Sequence, residues 1–301
     1  MNVGSNRIGI EVFVMLFFRA LSFLPLSWLH ALGAGLGWLT WALSPTYRRH
    51  LSENLTLALG ETEARRIRSA AIAQAGRQFM ELPKIWLRPL GEVAGRVVKI
   101  TGWELAERAM REGTGILYLT PHLGCFEIIS LYLSTHAPLT VMYRPPKRRW
   151  MQALIETGRI RDSLKIAAAD LAGVRTLLKA LRKGEAVGML PDQAPKEGEG
   201  RWLRYFGKPA YTMTLAARLS ESGATVLMVW AERLPGGEGF HLHVQAPGQA
   251  LVGATEARAQ QINHEIESLI RQCPAQYLWG YNRYKRPAGA EPPPAADDNA
   301  A

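Results

Sequence analysis

The 301-residue chain reads as an α/β protein: a mostly parallel mixed sheet flanked by helices, preceded by an N-terminal hydrophobic membrane anchor. Three observations predict this. From Val97 onward, short apolar runs without polar alternation are spaced by amphipathic stretches, the pattern of strands buried on both faces and covered by helices. Ala20–Thr46 contains no Asp, Glu, Lys or Arg. Several of the apolar runs also end in polar residues able to do chemistry, at the sheet edge where open α/β folds bind ligands.

The N-terminal stretch comes first. VFVMLFF, then Arg19, then Ala20–Thr46 give enough apolar length for a bilayer core, for which about 20 residues suffice. Pro25 and the set Gly33, Gly35 and Gly37 interrupt the run, so membrane association is expected ahead of a straight span. Trp28, Trp38 and Trp41 suit an interfacial anchor, and Arg48-Arg49 behind it favours a cytoplasmic position for the rest. The expected organisation is an anchor over 1–46, a catalytic domain over 47–286 and a disordered Pro/Ala/acidic tail over 287–301.

Glu61–Leu82 then has one charged and one apolar face, as a long helix does. The expected strands are Val97–Thr101, Ile116–Thr120, Leu139–Tyr143, Leu164–Ala168, Ala186–Leu190, Thr225–Ala231 and Phe240–Val244. Helices are expected at Trp103–Arg111, Phe126–Ser134, Arg149–Ile160, Val174–Leu181, Thr212–Ser222 and Glu256–Arg271. No internal repeat is visible.

Chemistry concentrates in Gly115–Glu127, GILYLTPHLGCFE. Pro121 stops the strand, and Gly124 turns the chain into the next helix. His122 therefore sits in the turn and Glu127 in the first helical turn, where the two can meet. A carboxylate beside an imidazole fixes its tautomer and makes it a usable general base. Leu139–Tyr143 delivers Arg144 to the same edge, and Ala186–Leu190 delivers Pro191-Asp192-Gln193. Arg159, with Lys147, Arg148, Arg149 and Arg161, forms a basic neighbourhood suited to a phosphorylated or acidic substrate. A net charge of +10 points the same way.

HLGCFE, YRPP, the GRIR helix, GMLPDQ, RWLRYFGKPAYT and CPAQYLWGYNRYKRP, in that order, resemble the lipid A late acyltransferases, the lauroyl and myristoyl transferases of Gram-negative bacteria. The likeness runs from the anchor to about Pro287. It implies a glycerol-3-phosphate acyltransferase-like fold on the cytoplasmic face of the inner membrane. It implies an acyl carrier protein thioester as co-substrate, a phosphorylated glucosamine disaccharide lipid as acceptor, and no further cofactor. It also carries over His122 and Glu127 as a catalytic dyad, with Arg159 and Asp192 as further required positions, while Arg144 and Gln193 are substrate-binding candidates from their strand ends alone. Two positions depart from the pattern: Phe126 stands where many members have Trp, and Lys147-Arg148-Arg149 replaces an Asn/Asp-Asn-Pro-like stretch.

The chemistry expected is direct transfer in a ternary complex, with the imidazole taking the acceptor proton as the bond forms. Backbone N–H groups near Gly124, or an Arg, would receive the oxyanion. Cys125 is not needed as a nucleophile, and two cysteines give neither a disulfide framework nor a CxxC pair. His241-Leu-His243 puts two imidazoles on one strand face, but no third ligand follows at ligand spacing; an exposed strand and no metal are expected. Among other classes, an acidic-lipid or acyl carrier protein binder needs charge but no base. Acylation of a lysophospholipid or aminolipid would use the same parts. No nucleic-acid motif is present.

Overall fold

The computed structural model describes residues 14–143 and 163–294. Its centre is a seven-stranded sheet. In chain order the strands are β1 (Val97–Thr101), β2 (Ile116–Leu119), β3 (Leu139–Tyr143), β4 (Leu164–Ala168), β5 (Ala186–Met189), β8 (Thr225–Arg233) and β9 (Phe240–Gln245), with β6 (Gly200–Tyr205) and β7 (Lys208–Met213) forming a separate antiparallel hairpin. The spatial order is β1-β9-β8-β2-β5-β3-β4. Every neighbouring pair is parallel except β8 with β9, so the sheet is mixed and mostly parallel as the sequence suggests. All four residues of β2 are buried, as expected for an apolar strand covered on both faces.

The helices are α1 (14–23), α2 (Leu26–Leu43), α3 (Pro45–Leu59), α4 (Glu61–Leu87), α5 (Leu90–Ala94), α6 (Trp103–Glu112), α7 (Phe126–Ser134), α8 (Leu171–Arg182), α9 (Leu215–Ser220) and α10 (Thr255–Gln272). One core layer gathers Leu117, Leu119, Val187 and Trp230 of the sheet with Leu177 of α8 and Ile266 of α10. The other sets Ile116, Tyr118 and Val229 against Ile128 and Leu131 of α7. The expected helix at Thr212–Ser222 starts later, because Thr212 and Met213 complete β7 opposite Arg201 and Gly200. The helix expected at Arg149–Ile160 lies outside the described residues.

The expected anchor is not shown as a membrane span. Among the described residues no helix is long and apolar enough to cross a membrane. The glycines do not break α2 either; they let it lie directly on α4. A Cβ at Gly37 would overlap the carbonyl oxygen of Ile72, and one at Gly76 that of Gly33. Leu26, Leu29, His30, Gly33 and Gly37 form the buried face of α2. Leu16, Phe17, Phe23, Trp28, Leu32 and Leu39, on α1 and α2, are exposed.

This helix pair is tied to the sheet by buried charge. Arg233 of β8 donates to Glu81 of α4 through Nη2 (2.6 Å) and Nε (2.7 Å), and through Nη1 to Gln74 (2.8 Å). His30 Nε2 lies 3.3 Å from the same carboxylate. Burial opposes charge on Glu81, yet the bidentate guanidinium outweighs it and holds the carboxyl below its usual range. At the other end, the tail expected to be disordered from Pro287 begins ordered. Arg286 Nε donates to the Ala290 carbonyl (2.7 Å), and Trp202 Nε1 to that of Glu291 (3.0 Å).

Candidate active site

β2 and β5 are parallel neighbours, with Leu119 opposite Met189. His122 and Asp192 each lie three residues beyond that pair, so the topology delivers both to one point of the carboxyl edge. His122 Nδ1 is 2.7 Å from Asp192 Oδ1, and the backbone N–H of His122 donates to Oδ2 at 2.9 Å. The aspartate is 1% exposed. Burial opposes its charge, but His122 and then Arg283 outweigh it and hold the carboxyl below its usual range. An acceptor-only carboxylate at Nδ1 requires that nitrogen to carry the proton, which leaves Nε2 with a lone pair. Nε2 lies 3.1 Å from the side-chain nitrogen of Gln193, the donor it needs.

Gly124 makes the turn possible. Its φ of +61° suits glycine, and a Cβ there would overlap the Ala231 carbonyl oxygen. The turn is strapped on both sides. Gly124 N–H donates to Gln276 O (3.1 Å), Cys125 N–H to Ala231 O (2.8 Å), and Leu278 N–H to His122 O (3.1 Å). The strap is itself held by Asn54, whose Nδ2 donates to the carbonyls of Trp279 and Tyr281, both at 2.8 Å.

Two expectations change here. Glu127 was to hold the imidazole, but both ring nitrogens of His122 have other partners, Asp192 and Gln193. Glu127, buried on the first turn of α7, accepts instead from Trp86 Nε1 at 3.0 Å. Phe126, between them, meets the His122 ring edge-on at 4.6 Å. The backbone donors expected for an oxyanion are also taken. The N–H groups of His122, Leu123, Gly124 and Cys125 donate to Asp192, Pro121, Gln276 and Ala231.

Phe126, whose ring meets the imidazole, also lines a mostly apolar cleft with Glu127, Ile129, Leu133, Val141 and Met189. Arg144, Arg159 and the other basic residues assigned to substrate lie outside the described residues. Two contributors escaped the sequence reading. Trp86, from α4, supplies the donor to Glu127. Arg283, 3% exposed, donates to the Tyr211 carbonyl and Thr212 Oγ1, both at 2.8 Å, and lends its charge to Asp192. The signal for Arg283 was present in CPAQYLWGYNRYKRP, a dense aromatic and basic segment near the end of an otherwise alternating pattern.

The fold and this site define a class: an α/β protein with a carboxylate-oriented imidazole at the carboxyl edge of a parallel sheet, next to an apolar cleft. The chain belongs to the bacterial lipid A biosynthesis acyltransferase family, whose sequence profile matches residues 3–286. It is 27% identical over 275 residues to the lipid A biosynthesis lauroyltransferase of Escherichia coli K12, covering 88% of each chain. It is 26% identical over 219 residues to the lipid A biosynthesis palmitoleoyltransferase of the same strain, covering 71% of this chain and 70% of that one. The lipid A biosynthesis acyltransferase of Haemophilus influenzae Rd is 27% identical over 198 residues, 63% of this chain and 62% of the relative. The resemblance carried by the motifs is therefore a family membership, and the enzyme class is acyltransferase.

Proposed function

We propose that the chain transfers a fatty acyl group from an acyl carrier protein thioester to a hydroxyl of a lipid A precursor, a secondary acylation, with His122 as general base and Asp192 as the group that orients it. The observation that carries this reading is the imidazole whose Nδ1 is fixed by a buried carboxylate (2.7 Å) while Nε2 meets only a neutral amide. The acceptor hydroxyl takes the place of the Gln193 amide at Nε2. As its proton passes to Nε2, its oxygen bonds to the thioester carbonyl carbon. The C–S bond then breaks, and the leaving thiolate takes the proton from the imidazolium. The negative charge of Asp192 stabilises that imidazolium. The acyl chain lies in the apolar cleft, with Glu127 as the carboxylate in its wall.

With the backbone donors of the turn engaged, the oxyanion falls to side chains. The Gln193 amide, released from Nε2, is the donor among the described residues, and Arg144 or Arg159 is the cationic one. The basic residues Lys147–Arg149 and Arg161 receive the acidic carrier protein and the acceptor phosphates. Membrane binding, at the cytoplasmic side of the inner membrane, is through the exposed apolar side chains of α1 and α2 lying in the interface, with no span required.

The test is mass spectrometry of products from the purified full chain, supplied with acyl carrier protein thioester and a lipid A precursor lacking a secondary chain. A mass gain of one acyl group, lost in His122→Ala, is expected. Release of free fatty acid without acylated product would assign the site to thioester hydrolysis instead.

A further inference from the structure

The antiparallel pairing of β8 and β9 brings together three side chains that acyl transfer does not use. Glu232 stands opposite His241, and Trp230 opposite His243. His241 and His243 alternate on β9 and so share a face, and Glu232 joins them from the neighbouring strand. The third ligand absent from the local sequence is supplied by the fold. Nor is β9 an exposed strand: it lies between β1 and β8, and His241 is 7% exposed.

We propose that Glu232, His241 and His243 form a binding site for one divalent transition-metal ion, of the kind taken by imidazole and carboxylate ligands together, Zn²⁺ first among them. The spacing is that of a metal's coordination edge. Ligands at about 2.1 Å in a tetrahedral shell stand about 3.4 Å apart. His243 Nε2 is 3.1 Å from Glu232 Oε2, and His241 Nδ1 is 3.7 Å from the same oxygen. One ligand atom from each of the three residues falls within 4.8 Å of the others. Small ring rotations close the remaining gap.

Outer partners orient both rings as they do in metal sites. His241 Nε2 lies 2.8 Å from Thr101 Oγ1. With the Nε2 proton given to that hydroxyl, the Nδ1 lone pair faces the carboxylate. His243 stacks on the Trp230 indole, 4.1 Å between centroids and 3° from parallel. Glu232 and His243 keep partial access to solvent, leaving room for water in the open positions and a route for the ion. Lys99 is the opposing charge nearby, on the exposed edge of β1 where its side chain can swing away. His243 binds as the neutral ring, so the Nε2 proton that bridges it to Glu232 passes through solvent to Nδ1 as the metal bond forms.

The test uses the full chain in detergent, free of affinity tag and treated with chelator. Equilibrium dialysis against Zn²⁺ is expected to give one ion per chain with saturation. Co²⁺ in its place should give visible d–d absorption with the intensity of a low-coordinate nitrogen/oxygen site. Glu232→Gln and His243→Gln should each weaken binding at least tenfold, while His136→Gln and His264→Gln, elsewhere on the surface, should not. Zn²⁺ should raise the melting temperature of the wild type but not of Glu232→Gln. Absence of saturable binding to the wild type would overturn the site, as would binding that Glu232→Gln and His243→Gln leave unchanged. The wild-type measurements stand even if a variant fails to fold.

Discussion

Two buried carboxylates, Glu81 and Asp192, sit in similar surroundings and do opposite things. Each is 1% exposed or less, each has a histidine partner, and each is held ionised against burial by a neighbouring cation or imidazole. They differ in what is left over. Both oxygens of Glu81 are spent on Arg233, whose Nη1 goes on to Gln74, so the network closes on itself. Asp192 spends one oxygen on the His122 backbone and the other on Nδ1, and leaves Nε2 answering only to Gln193. His30 is 8% exposed in its side chain and His122 15%. A closed buried ion pair serves the fold; one held open at a single nitrogen can serve a reaction.

That contrast predicts separable phenotypes. The largest effect belongs to the open pair. His122→Ala is expected to lower turnover by roughly 10²–10⁴-fold, the share a positioned base contributes. Asp192→Asn should fall in the same range, because the amide can no longer fix the Nδ1–H tautomer. Steady-state kinetics with the acyl carrier protein thioester, alongside a thermal melt, checks both. Near-wild-type turnover in folded His122→Ala would remove the imidazole from the chemistry.

The closed pair should do the reverse. Glu81→Ala leaves Arg233 buried without its counter-charge, which costs about 3–5 kcal/mol of stability. Chemical denaturation should show that loss, while turnover per folded molecule stays within a few-fold of wild type. If turnover collapsed at full stability, Glu81 would belong to the active site, and the comparison would fail.

Acid sharpens the distinction further. Both carboxyls are depressed in the folded state, Glu81 from 4.5 and Asp192 from 3.8. Their stabilisation is therefore fully present above those ordinary values and is lost as pH falls through the lower, folded ones. The share of the denaturation midpoint that these two carboxyls carry should be flat from neutrality to about pH 5 and decline below it, beneath a fall that begins near pH 6.5 because burial also lowers the His241 and His243 imidazoles. In Glu81→Gln the decline should be shallower, since one depressed group is gone. An unchanged slope would mean that Glu81 is not held ionised.

Much of this was legible in the sequence, and the illegible part has a common cause. All the strands of the central sheet could be read because apolar runs buried on both faces have few alternatives; Ile116–Leu119 is the clearest. The site's edge was legible too, since His122, Asp192 and Gln193 each follow a strand. What could not be read was which strands are neighbours. The carboxylate five residues from His122 looked like its partner, but the sheet order puts β5 beside β2 and brings Asp192 from 70 residues away. Glu232 joined His241 and His243 by the same kind of cross-strand meeting. Gly33 and Gly37 look like helix breakers until Gly76 of α4 is packed against them.

The smallest effect concerns Cys125, the one residue whose sequence position invites a rival mechanism. It lies three residues after His122, where an acyl-enzyme could be imagined. The geometry offers it no such part. Its side chain is 1% exposed. Burial, and then the charge of Glu81, pushes its thiol pKa well above the ordinary range, so the thiolate needed for attack is scarce. Both nitrogens of His122 are committed to Asp192 and Gln193 rather than to sulfur. What Cys125 supplies is a backbone N–H to Ala231 and a small apolar volume at the start of α7. Cys125→Ala keeps the first and gives up part of the second, so stability should fall by about 1 kcal/mol. Turnover should remain above half of wild type in the same assay. Intact-protein mass spectrometry after quenching with donor alone should show no acyl adduct. A stable adduct that maps to Cys125 would replace direct transfer with a two-step route through the thiol.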